Sequence, residues 1–157
     1  LTRRQLRQWA ADIPTIFGTH DGAYFLTGTD QSLNLRTLAR DGSFWPGEAA
    51  EVALLFDPNK GLWLEAVGFQ DTENRETRIL PLDPAATTLK LSYFGRRSDE
   101  PSKTWHSNWS DARALPDLVK LEWTGPNNGA VPPLTLFPGQ RMRQMYMELE
   151  TLIPRAP

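Results

Sequence analysis

The chain has 157 residues, 39% hydrophobic and 23% charged, enough to enclose one modest core and too apolar for a disordered chain. A formal charge of -2 and a pI near 5.7, with arginines scattered except at Arg3-Arg4 and Arg96-Arg97, exclude the basic field that nucleic-acid binding needs. The lack of cysteine excludes disulfides, thiolate catalysis and sulfur-ligated metal, and no window approaches the roughly 18 apolar residues of a membrane span.

In chain order, Leu1, Leu6, Trp9 and Ala10 fall on one face of a helix over residues 1–11, which Ile13-Pro14 ends. Two readings stay open: the last turns of a longer amphipathic helix that begins upstream, or a self-contained helix. The start at Leu1 without a methionine points to a processed or truncated form. Strands are predicted over 23–27, 33–39, 52–56, 62–69, 78–82 and 87–93. They are separated by Asp21-Gly22, Asp41-Gly42, Asp57 to Gly61 and Asp83-Pro84, all residue types that suit turns. The pair joined through Asp57-Pro58-Asn59-Lys60-Gly61 carries the strongest hairpin signal.

Residues 71–76 and 96–103 read as exposed polar loops. Alternation marks a further strand over 118–123, with either Leu118 and Lys120 or Val119, Leu121 and Trp123 on a given face. Gly125 to Gly129 is a turn, followed by a short strand over 134–137. In the tail, Met142, Met145, Leu149 and Leu152 have helical spacing, whereas Met145, Met147 and Leu149 alternate as in a strand; length favours the helix. The whole is predicted to be one α+β domain, 1–157: a helix end over 1–11, a mostly antiparallel β-rich head over 15–137, and a tail over 140–157.

Little here suggests chemistry. The only histidines, His20 and His106, lack companions at metal-ligand spacing, and Ser107 and Ser110 beside His106 do not make a triad. Asp71, Glu73 and Glu76 supply oxygens suited to calcium but no glycine-turned loop. No catalytic, cofactor or metal residue is therefore expected. The six tryptophans, Trp9, Trp45, Trp63, Trp105, Trp109 and Trp123, read first as packing residues; two or three exposed together would instead make a sugar-binding platform. Asn108-Trp109-Ser110 fits the glycosylation sequon, a pattern common by chance.

One block is more specific. Leu91-Ser92-Tyr93-Phe94-Gly95, then Trp105 and Trp109, then Leu115-Pro116-Asp117-Leu118-Val119-Lys120-Leu121, resembles the C-terminal core of the J-type minor pseudopilins of bacterial type II secretion. Weaker matches extend the resemblance over most of residues 6–124: the helix over 1–11, Phe17-Gly18 with Tyr24-Phe25-Leu26, and Leu54-Leu55-Phe56-Asp57 with Gly61-Leu62-Trp63-Leu64. The resemblance implies a pilin-like fold in which a truncated N-terminal helix leads into an antiparallel head. It implies no enzymatic activity. The full-length protein would be held in the inner membrane by that helix, its head in the periplasm, where it joins I-type and K-type minor pseudopilins to initiate and cap the pseudopilus. Leu1, Leu6 and Trp9 would then serve either as a partner interface or as intramolecular core. Tyr93, Phe94, Gly95, Trp105, Trp109, Leu115 and Pro116 would form the motif core, with Pro116 starting a strand and Trp105 and Trp109 packing where the loop returns. A minor type IV pilin-like subunit and a carbohydrate-binding β module are the alternatives.

Overall fold

A computed structural model describes residues 2–14, 25–38, 49–68, 77–141, 143, 144, 147 and 148. Leu1, His20, Asp21, Asp41, Trp45 and the acidic run Asp71, Glu73 and Glu76 lie outside the described residues.

Helix α1 spans Thr2–Ala11 and buries Leu6, Trp9 and Ala10. Ile13, one turn beyond, continues the same stripe into the core, and Pro14 follows at the point where the helical bonds stop. Of the two readings of Leu6 and Trp9, partner interface or intramolecular core, their burial agrees with the second. Their side chains are 0% and 1% exposed inside this chain, so they are core rather than surface. The outward positions of α1 are Arg4 and Arg7.

Five strands form an antiparallel meander in the order β1-β2-β3-β4-β5: β1 Leu26–Gly28, β2 Leu33–Thr37, β3 Ala50–Asp57, β4 Gly61–Gly68 and β5 Thr77–Asp83. The β3–β4 hairpin closes on the predicted turn, with Asp57 opposite Gly61. The Asn59 N–H donates to Asp57 Oδ1 at 2.7 Å, and Gly61 supplies the positive φ of +85° that a side chain would strain. Leu33, Leu35, Val52, Leu54, Leu62, Leu64 and Ala66 alternate onto the buried face.

The second sheet has the order β7-β6-β8-β9, built from β6 Thr88–Gly95, β7 Thr104–His106, β8 Leu118–Thr124 and β9 Leu134–Leu136. Every strand pair among the described residues is antiparallel. Strand β7 lies outside the predicted strands, and β6 runs to Gly95, beyond its predicted end. Of the two alternations open for β8, Val119, Leu121 and Trp123 face the core. Pro116 precedes β8 by two residues instead of starting it.

Both sheets and α1 contribute to one buried cluster, and α1 touches β2, β5 and β9, so it lies across both sheets. At its N-terminal end the Arg3 guanidinium sits 4.5 Å from the Trp123 ring and donates to the Pro132 carbonyl at 3.0 Å. At the other end Asp12, 1% exposed, is paired with Arg141, whose Nη1 is 2.9 Å from Oδ1 and 3.1 Å from Oδ2. A carboxylate so deep needs that counter-charge. Gln140, Arg141, Arg143, Gln144, Met147 and Glu148 are helical, so over these residues the tail adopts the helical alternative.

Candidate functional site

The motif residues converge where the two sheets meet. Leu89, Leu91 and Tyr93 alternate inward along β6, which carries the Tyr93 phenol under the β1–β2 turn. There its O–H donates to the Thr29 carbonyl at 2.8 Å, with the Ser32 carbonyl at 3.2 Å. Burial, and secondarily the nearby charge of Asp30, pushes the phenol well above its usual range, so it stays a neutral donor.

Trp109 joins the sheets through its backbone. Its N–H donates to the Gly28 carbonyl and its carbonyl accepts from the Gly28 N–H, both at 2.9 Å, so the end of β1 pairs with the loop that follows β7. Its indole is 0% exposed and donates through Nε1 to the Ala114 carbonyl at 2.9 Å. Gly95 lets these pieces close together. A Cβ there would sit 3.0 Å from Pro116 Cα, 3.1 Å from Asp117 N and 3.2 Å from the Trp109 ring, and the Asp117 N–H reaches the Phe94 carbonyl at 2.7 Å. Leu115 packs against the same cluster.

Trp105 is different. It lies opposite Phe94 in the β6–β7 register, on the face away from the core, and is 53% exposed with its ring centroid 5.2 Å from that of Phe94. The expectation that Trp105 and Trp109 both pack where the loop returns is corrected: Trp105 lies in β7 on the face turned from the core, while Trp109 lies beyond β7, where its backbone bridge to Gly28 turns its ring inward.

No protein-family model matches the chain, and no curated protein matches it. The site therefore rests on its own geometry.

Polar contacts order the loop over 96–113. Arg97 Nη2 donates to the Asn108 carbonyl at 2.7 Å and to its Oδ1 at 2.8 Å, and the guanidinium lies 5.7 Å from the Trp109 ring centroid. His106 is held by Glu100, 3.2 Å from Nε2, and meets Trp109 edge-on at 5.5 Å. These groups are committed to one another. Among the described residues no group of three or more His, Asp or Glu could hold a metal ion.

Asp111 accepts the Ser98 N–H at 2.7 Å, the Ser98 hydroxyl at 2.8 Å and the Arg113 N–H at 2.8 Å. Burial alone would raise its carboxyl, but these bonds, with a further one from the Ala114 backbone, together hold it below the ordinary carboxylate range. A depressed native pKa contributes stability above the unfolded value, and that stability is lost as pH falls through the native pKa. Asp111→Asn is therefore expected to lower stability by less than about 1 kcal/mol at neutral pH, since the group is largely solvated. It should also flatten the decline in urea midpoint between about pH 5 and pH 2. An equally steep acid decline in the variant would show that Asp111 contributes nothing there.

Proposed function

We propose that this chain is the head of a J-type minor pseudopilin, which assembles with I-type and K-type minor pseudopilins to initiate and cap the periplasmic pseudopilus of type II secretion. In this reading the full-length protein is anchored in the bacterial inner membrane through a helix continuous with α1. No helix among the described residues is long and apolar enough to cross a membrane.

The observation that supports it is the closure of the motif block. Gly95 is closed upon by Pro116 and the Trp109 ring beside Tyr93, and the Trp109 backbone ties this block to the first sheet, in a chain whose N-terminal helix precedes antiparallel strands. The reading assigns the protein an assembly role and no chemistry. Because Leu6 and Trp9 are turned into the core, the part of α1 offered to a partner helix is its outer side, marked by Arg4 and Arg7.

Size-exclusion chromatography with light scattering, of this chain mixed with I-type and K-type heads, tests the proposal. The expected result is a stoichiometric complex that Arg4→Glu with Arg7→Glu weakens while leaving the melting temperature unchanged. Absence of any complex at concentrations on the order of 50 μM, well above the dissociation constant of a modest specific interface, would sink it.

A further inference from the structure

The outer face of the second sheet, opposite the buried motif residues, holds a cleft. Strand register builds it. In the β6–β7 pairing Phe94 stands beside Trp105, and in the β6–β8 pairing Ser92 stands beside Lys120 and Lys90 beside Glu122. Alternation puts all of these on the side opposite Leu89, Leu91 and Tyr93. Strand β7 is short and pairs only with 93–95, so the edge of β6 beyond it is met by the β1–β2 turn, where the Asp30 carbonyl accepts the Leu91 N–H at 2.7 Å. Between that turn and β7 lies a cleft of about 590 Å³ whose lining includes Asp30, Lys90, Ser92, Trp105, Lys120 and Glu122.

The chemistry of this lining selects among ligand classes. Trp105 alone is not the platform of two or three exposed rings considered from the sequence, but its indole gives a flat apolar surface for one sugar ring, steadied from one side by Phe94, and the polar groups around it supply the remaining contacts. Around it stand donors and acceptors of both signs, with Lys120 and Glu122 already paired at 2.7 Å. A lipid would strip water from that ion pair without offering it a hydrogen bond. A simple anion or cation would meet an opposing charge of its own sign. A pyranose ring satisfies both halves, because its axial C–H face stacks on an indole while its hydroxyls each donate and accept.

We propose that this cleft binds a glycan chain, with Trp105 as the stacking platform and Ser92, Lys120 and Glu122 bonding the hydroxyls. The site is independent of the assembly reading: it lies on the exposed sheet face, while the motif closure lies in the core.

The probes are cellohexaose, chitohexaose and maltohexaose, each titrated into the protein with its tryptophan side chains labelled with nitrogen-15 and followed by NMR. The indole N–H resonance that disappears in Trp105→Ala identifies Trp105. Saturable shifting of that resonance by at least one of the three sugars is expected. Affinity should fall tenfold or more in Trp105→Ala, while Trp105→Phe, which keeps a ring, should lose less. The buried indole resonances should stay in place in both variants, which shows that the fold is intact. Saturation by none of the three sugars, or equal affinity in wild type and Trp105→Ala, would overturn the proposal. So would a Trp105→Ala defect confined to complex formation with the I-type and K-type heads, which would make Trp105 a protein contact.

Discussion

Trp109→Ala is expected to lower the unfolding free energy by about 4 kcal/mol, the range for removing a fully buried tryptophan. For a chain of this size that is a fall in melting temperature of roughly 10 °C or more. The indole is 0% exposed, so its removal leaves a cavity at the junction of the two sheets rather than a gap that solvent fills cheaply. It also leaves the Ala114 carbonyl without its donor. Trp109→Phe separates the two contributions, because it restores much of the ring but not the N–H. It should recover more than half of the loss. Trp105→Ala is the internal control: with a side chain 53% exposed, the change should cost less than about 1 kcal/mol. Urea denaturation of the three variants checks this, and equal losses at 105 and 109 would refute the inward and outward assignment of the two rings.

The contrast between these two tryptophans shows what sequence patterning reaches. The β3–β4 hairpin was legible because every signal for it is local: Asp57 bonds its own turn, Gly61 takes the positive φ, and the flanking residues alternate. The alternation of β8 was legible for the same reason, but which of its two faces is buried was not, because that choice is made by the packing of Val119, Leu121 and Trp123 into the core. Strand β7 was not legible, since Thr104-Trp105-His106 has no pattern of its own and becomes a strand only by pairing with Tyr93, Phe94 and Gly95. Which of Trp105 and Trp109 points inward depends on that pairing. The direction of α1 had the same difficulty. An apolar stripe suits a partner helix and the chain's own sheets equally, and the choice is made by β2, β5 and β9, which arrive later in the chain. The Asp12–Arg141 pair, 129 residues apart in sequence, carries no local signal at all.

Gly28→Ala tests the junction from its other side and is expected to destabilise by about 3 kcal/mol, at the upper end of overpacking costs. The position is constrained by proximity rather than by an unusual dihedral. A methyl group there would overlap the Tyr93 phenol oxygen and lie 2.7 Å from Tyr93 Cζ and 2.8 Å from the Ser32 carbonyl oxygen. Neither neighbour moves freely, because the phenol is anchored on the turn carbonyls of Thr29 and Ser32. Gly28 itself is fixed by its two backbone bonds to Trp109. Tyr93→Phe alone should cost about 1 kcal/mol, through the lost donor and the carbonyls it leaves behind. In the double variant the clash with the hydroxyl is gone while the contact with the ring carbon and the carbonyl remains. The combined loss should therefore fall short of the sum of the single losses by about 1 kcal/mol or more. That shortfall is the signature of direct contact between the two sheets at this point. Additive losses would mean that Gly28 is intolerant for a reason other than Tyr93.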